Sequence, residues 1–323
     1  MTPTDTRQEL LDIAQTADSF SPDAGPGLYL NVDEQAYFAH EGISRSTLAT
    51  CARKSPLHAA YEMQSEDDQG SKSMSLGSAL HARVLEPDTF DDRFDVAPDE
   101  CSATLNSGDP CTYSAKHRHS GEWFCGRHAP DGEPDDIEVL KSDHFYSVQG
   151  MQEQLKRDPD ARQLLYHLPG IAEATVIYRD DETGLLCKAR PDRIACLPDE
   201  QVSIVDLKST KSAHPSDFRR SYSRYGYWLQ PAHYCVAVGR LPAPVEVVDF
   251  VFVCVESSRP YAVQCYRPAS GDDTGARRRL AGLLEEMKDA LEGDPTGYTP
   301  DGQSGVVELH MKRYEKDRLG ISA

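Results

Sequence analysis

The sequence predicts an α/β or α+β fold in which helices flank a mixed β-sheet. Two features of the hydrophobic pattern carry this prediction. Apolar residues recur at helical spacing on both sides of residue 170, and β-branched residues alternate with polar ones between residues 173 and 207. No internal repeat interrupts this order, so a layered sheet covered by helices is expected.

The first 170 residues are mainly helical in pattern. Residues 1–40 mix helix-like and Pro/Gly-rich stretches and are expected to form a loosely attached arm. A helix opens after Ile43 with hydroxyl capping residues, and Ser55-Pro56 breaks or restarts it. A second helix is expected over 74–85, and helical spacing resumes over 137–165.

The chain then changes to strand-like alternation. Segments 173–178, 185–196 and 202–207, separated by turns, predict a three-stranded meander. The predicted elements that follow are helices at 214–222 and 225–239, strands at 245–256 and 261–266, and a charged helix at 274–291.

Charge and composition exclude several classes of protein. The 323 residues carry 53 acidic and 34 basic side chains, a net charge of −19, which argues against coating nucleic acid through bulk electrostatics. Any DNA contact must therefore be local. No apolar run approaches the roughly 20 residues of a membrane span, and the first residues lack the pattern of a secretory signal. We expect a cytoplasmic protein without a membrane partner.

The most informative stretch is a predicted hairpin from Lys188-Ala-Arg-Pro-Asp192 to Asp206-Leu-Lys208. Alternation puts Asp206 and Lys208 on one face, while the residues beside them point into the core. Positions 192 and 206 are equidistant from a turn near Asp199, so their carboxylates should face each other at about 5 Å. Such a pair repels unless a cation lies between them, which predicts Mg²⁺ or Mn²⁺. The lysine could then orient or deprotonate a water for attack on a phosphodiester.

The alternative is a surface hairpin with a simple ion pair, because Asp-x-Lys is a common triplet. Three features favour the metal site. Gly77-Ser-Ala-Leu-His81 places a candidate third ligand on a helix, and Gln230 and Tyr234 share a helix face at i, i+4. Residues 205–240 also hold six Lys and Arg against two Asp in an otherwise acidic chain.

In combination, these motifs resemble the PD-(D/E)xK nuclease superfamily, and within it the RecE-like branch of exodeoxyribonuclease VIII. The opening Ile43-Ser-Arg-Ser-Thr-Leu48 also resembles that branch, and the likeness covers about residues 35–300 apart from an insertion. The motifs that carry it are Gly-x-x-x-His at 77–81, Glu173, Lys-x-Arg-Pro-Asp at 188–192, Asp-x-Lys-Ser-Thr at 206–210 and Tyr-Gly-Tyr-x-x-Gln-x-x-x-Tyr at 225–234.

The resemblance implies a Mg²⁺-dependent exonuclease that degrades one strand of linear duplex DNA from its 5′ end, with one or two ions at the site. It implies a homo-oligomeric ring and, typically in phage recombination, a single-strand annealing protein as partner. The implied metal ligands are His81, Asp192, Asp206 and the backbone carbonyl of Leu207. The implied roles of the others are activation of the water by Lys208, support of the site by Glu173, and positioning of the scissile phosphate or terminal base by Gln230 and Tyr234.

The expected DNA contacts and domain boundaries combine this resemblance with the composition and local charge of the chain. The nuclease core is expected over 41–96 and 137–300, between the arm at 1–40 and a tail at 301–323. Residues expected near the DNA are Ser44, Arg45 and Ser46, together with the basic residues Lys211, Arg219, Arg220 and Arg224.

Residues 97–136, called the insertion below, are rich in Gly, Pro, Cys and His and show little periodicity. Cys101, Cys111, Cys125 and His128 form a Cys₃His set that fits tetrahedral Zn²⁺. The segment has few core residues, so metal coordination would supply its folding energy. The alternative is unligated loop thiols, and His117 and His119 are spare candidate ligands. We expect a structural role, with a contact for DNA or a partner as a second possibility.

An iron–sulfur cluster, which some exonucleases of the superfamily carry, is rejected. Cys51 precedes the nuclease motifs, but Cys235, Cys254 and Cys265 are spaced like buried residues of strands and helices. Two functions compete with the exonuclease: a structure- or sequence-specific endonuclease on the same fold, and a non-catalytic DNA-binding adaptor.

Overall fold

The structure is a computed structural model that describes residues 1–64, 76–132, 134–135, 137–243 and 245–293. The predicted tail at 301–323, the last predicted core residues 294–300 and the first two residues of the helix predicted over 74–85 lie outside the described residues.

The described residues form strands that are numbered in chain order. They are β1 (Ala14–Thr16), β2 (Gly27–Leu30), β3 (Ile43–Ser44), β4 (Phe94–Val96), β5 (His117–His119), β6 (Glu122–Phe124), β7 (Glu138–Leu140), β8 (Gly170–Ala172), β9 (Thr175–Arg179), β10 (Leu186–Ala189), β11 (Arg193–Cys196), β12 (Gln201–Thr210), β13 (Glu246–Glu256) and β14 (Val263–Tyr266).

The α-helices are numbered in the same way. They are α1 (Pro3–Ile13), α2 (Glu34–Ala39), α3 (Arg45–Arg53), α4 (Pro56–Gln64), α5 (Leu76–Leu85), α6 (Phe90–Arg93), α7 (Ser142–Arg157), α8 (Pro159–Arg162), α9 (Pro215–Arg224), α10 (Leu229–Gly239) and α11 (Ser270–Glu292). A 3₁₀ turn at Ala17–Ser19 and a π-helical turn at Gln163–His167 complete the described helical residues.

Two five-stranded sheets organise the chain. The central sheet has the order β14-β13-β12-β11-β8, and the second sheet has the order β1-β2-β9-β10-β3. Both are mixed. In the central sheet β12 pairs with β13 in parallel and with β11 antiparallel, and in the second sheet β10 pairs with β3 in parallel and with β9 antiparallel. Helices pack on the central sheet, with α10 and α7 contacting β13 and α5 contacting β12. The predicted mixed sheet flanked by helices is confirmed.

Strand β12 is buried on both faces. Val202 and Ile204 belong to one hydrophobic core and Val205 and Leu207 to another. Residues 202–207 are accordingly all buried, the polar side chains of Ser203 and Asp206 included. The prediction that Val205 and Leu207 point into a core is correct, but the opposite face of the strand, which carries Asp206, is covered as well.

The predicted meander is wrong in one respect. The segment expected as one strand over 185–196 is two strands, β10 and β11, which lie in different sheets. The break falls at residues 190–192, where Pro191 has no N–H to donate to a ladder. The chain uses this break to cross from the second sheet to the central one, so Asp192 lies at a strand end.

The prediction of a loose N-terminal arm is also wrong. Strands β1 and β2 belong to the second sheet, and Leu10 and Leu28 are fully buried. The Nε of Arg7 donates to the carbonyl of Gly170 at 2.9 Å, which ties α1 to β8. Helical and strand-like stretches in this segment are thus ordinary parts of the fold.

The insertion leaves and rejoins the domain through a parallel pair of short strands, β4 and β7. Between them, β5 and β6 form an antiparallel hairpin. Among the described residues, no helix is long and apolar enough to span a bilayer.

Candidate active site

A row of three carboxylates crosses three neighbouring strands of the central sheet. Arg193 of β11 pairs with Val205 on one side and Ala172 on the other. One step beyond this pairing, Asp192 therefore lies between Asp206 and Glu173. The hairpin register that places 192 opposite 206 is the one the sequence predicts, because the turn is centred on residue 199. Asp199 and Glu200 make this turn with positive φ values of 58° and 61°.

Glu173 follows the last residue of β8 and has a φ of 48°, a left-handed conformation that is uncommon for a residue other than glycine. Its backbone N–H donates to the carbonyl of Asp192 at 3.1 Å. Left-handed backbone outside glycine is costly and concentrates at functional sites. Here it turns the chain between β8 and β9, beside Asp192.

The histidine on α5 faces this row. His81 Nδ1 lies 3.7 Å from a carboxylate oxygen of Glu173 and 3.7 Å from one of Asp192, and His81 Nε2 donates to the carbonyl of Leu207 at 2.7 Å. One ligand atom from each of His81, Glu173 and Asp192 lies within 4.8 Å of the others, close enough to share a metal ion. The structure thus brings together three of the four predicted metal ligands, and it adds Glu173, which was expected only to support the site.

Asp206 lies deeper and has other partners. Its Oδ2 lies 2.5 Å from Lys208 Nζ, and its Oδ1 accepts a hydrogen bond from Gln230 Nε2 at 2.6 Å. Asp206 is fully buried and Gln230 is nearly so. Gln230, which is expected to position a phosphate or base, thus also holds Asp206. Its side-chain oxygen is buried without a hydrogen-bond partner in the described part of the chain.

Burial and charge set the protonation of these groups. Burial raises the pKa of Asp206 to about 6 even though Lys208 opposes the shift, and burial also raises the pKa of Asp192. Burial by itself lowers the pKa of His81, but Asp192 and Glu173 outweigh it and raise the pKa to about 9. Without an ion at the site, the imidazolium of His81 supplies the positive charge between the carboxylates.

Lys208 is also held in its charged form. Burial lowers its pKa, but Asp206 and Asp192 outweigh that effect and raise it. The Nζ of Lys208 lies 5.3 Å from the ring centre of Tyr227, and the guanidinium of Arg45 lies 5.7 Å from the same ring. The ring of Tyr227 thus makes cation–π contacts with both Lys208 and Arg45. The sequence motif contained Tyr227, but no role was predicted for it.

The predicted DNA-contact residues fall into two groups. Ser44 is buried and its hydroxyl accepts the N–H of Thr47, so it caps α3 and is not free for DNA. Arg45 donates to the carbonyls of Tyr225 and Gly226 at 3.1 and 3.2 Å. The exposed residues of the predicted set are Ser46, Lys211, Arg219, Arg220 and Arg224, the last three on α9.

Tyr234 lies one turn after Gln230 on α10 and is partly buried. Burial raises the pKa of Tyr234 well above its ordinary value, and the carboxylates of Asp206 and Asp192 add to the effect. Its hydroxyl is thus neutral near the acidic row and can donate a hydrogen bond.

One supporting residue was missed. Lys188 Nζ donates to three backbone carbonyls, of Tyr37, Phe38 and His40, at 2.9, 3.1 and 2.6 Å. These carbonyls lie at the end of α2, where a cation stabilises the helix. In the sequence, Lys188 stood out only through its place in the Lys-x-Arg-Pro-Asp motif, because the three carbonyls that it binds lie 148 to 151 residues away.

Comparison with known proteins identifies the family. Residues 44–298 match the family described as a PDDEXK-like domain of unknown function, DUF3799. This match spans most of the chain, so the chain belongs to that family and, with it, to the PD-(D/E)xK nuclease superfamily. No curated protein matches the chain.

Two solved structures were also compared. A candidate exonuclease from Eubacterium rectale has 13% identity and a TM-score of 0.47, and the match covers 86% of this chain and 92% of that one. The protein SSO0001 has 14% identity and a TM-score of 0.28, with coverage of 48% and 66%. At these TM-scores the family assignment rests on the family match alone.

Proposed function

We propose that the protein is a Mg²⁺-dependent deoxyribonuclease, an exonuclease that acts on linear double-stranded DNA in the 5′ to 3′ direction and produces single strands for recombination. The observation that carries this proposal is the set of His81, Glu173 and Asp192 within 4.8 Å, beside the Asp206–Lys208 pair. The polarity, the ring-shaped oligomer and the annealing partner rest on the resemblance to RecE-like enzymes.

The donor set fits a hard divalent ion. Carboxylates and a backbone carbonyl are the ligands that Mg²⁺ and Mn²⁺ prefer, and one imidazole is compatible with Mn²⁺. His81, Glu173 and Asp192 would hold the ion, with the carbonyl of Leu207 next to them. When bound, the ion supplies Lewis acidity and charge neutralisation at the phosphodiester.

The side chains around this position have separate roles. Lys208 donates to the attacking water and orients it, and Asp206 fixes the ammonium that does so. Gln230 fixes Asp206 in turn through its 2.6 Å hydrogen bond. His81 must give up its proton before it can ligate an ion, because only a neutral imidazole nitrogen is a ligand.

Basic side chains that follow β12 support a DNA path across this part of the protein. Lys211 and the exposed arginines of α9 follow closely on the strand that carries Asp206 and Lys208. Arg220 is paired with Asp217 at 3.2 Å, but Lys211, Arg219 and Arg224 keep this segment basic in a chain of net charge −19. Such a patch neutralises phosphates near the site while the remaining surface repels DNA.

The test uses purified protein with linear and closed circular duplex, each with Mg²⁺ or with EDTA. We expect Mg²⁺-dependent loss of the linear DNA alone, and none with Asp206→Asn. Asp199→Asn is the matched control, because it makes the same charge change in the turn of the same hairpin, where the side chain is 86% exposed. Early release of mononucleotide from a 5′-labelled rather than a 3′-labelled end tests the polarity, and light scattering tests the ring.

Other outcomes contradict the proposal. Cutting of the closed circle would indicate an endonuclease. DNA binding without turnover, with Mg²⁺ present, would indicate an adaptor. Full activity in Asp206→Asn would remove this site from the mechanism.

A further inference from the structure

The insertion has almost no hydrophobic core of its own. In the described part of the chain, the buried cluster there consists of Cys101, Cys111 and Cys125, with Ala103 and Phe124 packed against it. Three thiols cannot replace the apolar area that stabilises a segment of this size. Another source of stability is therefore required.

The four candidate ligand atoms lie within 4.8 Å of one another, close enough to share one metal ion. His128 Nδ1 lies 3.6 Å from Cys101 Sγ and 3.5 Å from Cys125 Sγ, and Cys111 Sγ lies 4.0 Å from Cys125 Sγ. Zinc–sulfur and zinc–nitrogen bonds of about 2.3 and 2.0 Å at tetrahedral angles give about 3.5 Å for S···N and about 3.8 Å for S···S. The cysteines are all free thiols.

The backbone around the cluster is arranged to hold it. The N–H of Cys125 points to Cys101 Sγ at 3.2 Å. Backbone hydrogen bonds join Cys101 to Tyr113 and Cys111 to Ala103, so the two parts of the segment meet at the thiols. Hydrogen bonds to ligand sulfurs orient the ligands, as in other metal sites.

We propose that the insertion binds one structural Zn²⁺ through four side chains: Cys101, Cys111, Cys125 and His128. Four protein ligands close the coordination sphere, so this ion takes no part in hydrolysis. The site ties the chain that follows β4 to the hairpin of β5 and β6. His117 and His119, the spare candidates, lie on β5 and are not part of the set.

The insertion is not suited to contact DNA. It contains eight Asp and Glu against three Lys and Arg. Three thiolates and one Zn²⁺ add a further negative charge. Two of its three basic side chains are also occupied, because Arg118 faces Asp95 and Asp135 and Arg127 donates to the Tyr113 hydroxyl. The ion therefore stabilises the insertion and does not anchor a phosphate.

The experiment measures metal content in the full chain by plasma mass spectrometry after dialysis. We expect one zinc per chain in the wild type, near zero in Cys111→Ser, and one in the control Cys265→Ser. Co²⁺ exchanged into the site should show the visible bands of a tetrahedral thiolate complex. His128→Cys should keep one metal with shifted bands, and this variant protects the test against misfolding of Cys111→Ser.

Absence of zinc from the wild type together with absence of thiolate bands after Co²⁺ addition would overturn the proposal. So would full zinc content in a folded Cys111→Ser protein. Zinc content in Asp206→Asn should remain at one per chain, so failure of this proposal is distinguishable from failure of the nuclease proposal. DNA affinity at fixed salt should be the same in the wild type and in His128→Cys.

Discussion

Asp206→Asn should remove activity and at the same time stabilise the metal-free protein. Burial raises the pKa of Asp206 from 3.8 to about 6, with the attraction of Lys208 already included. Between those two pH values the folded state holds a proton that the unfolded state has lost, so stability falls as pH rises. Above pH 6 the free-energy cost of burying the ionised Asp206 carboxylate no longer changes with pH. A shift of about two pKa units at 1.36 kcal/mol per unit makes this cost about 3 kcal/mol.

The asparagine variant does not carry this cost and can still accept from Gln230. Urea denaturation in EDTA, followed by circular dichroism at intervals from pH 4 to pH 8, measures the difference. We expect the two proteins to be equally stable near pH 4 and the variant to be about 3 kcal/mol more stable at pH 8. Asp199→Asn, at a position with positive φ that asparagine adopts readily, should follow the wild type throughout.

Two results would contradict this prediction. A stability difference that does not change with pH would mean that titration of Asp206 is not its cause. A variant less stable than the wild type at pH 8 would mean that the contact with Lys208 exceeds the cost of burying the carboxylate.

Three further predictions concern other parts of the fold. The pKa of His81, raised to about 9, means that an ion must displace a proton; calorimetry in buffers of different ionisation enthalpy should show proton release and Mg²⁺ affinity that rises up to about pH 9. Burial lowers the pKa of His233 to about 4, so the contribution of His233 to stability should fall by up to about 3 kcal/mol as pH drops from 6.5 to 4, opposite in sign to the contribution of Asp206, and His233→Asn should remove it. A Cβ on Gly170 would lie 2.4 Å from the carbonyl oxygen of Ile194, so Gly170→Ala should lose about 1–3 kcal/mol in denaturant titration, whereas Gly25→Ala, with no atom within 4 Å, should not.

Local sequence patterns predict the fold class and the register of the carboxylate hairpin correctly. Alternation and the turn near Asp199 are local signals, and a register slip by one residue would move every side chain of β12 to the wrong face. The Cys₃His set was also readable, because its residues lie close together in the chain and their chemistry is distinctive.

The remaining side chains of the site are brought in by contacts between distant segments of the chain. Glu173 joins Asp192 because β8 pairs with β11, and Gln230 reaches Asp206 because α10 packs on the central sheet. The crossing between sheets at Pro191 follows from the same packing. These contacts join residues far apart in sequence, and local periodicity holds no information about which distant segments pair. Which segments pair is decided by the burial of two separate cores on the faces of the central sheet.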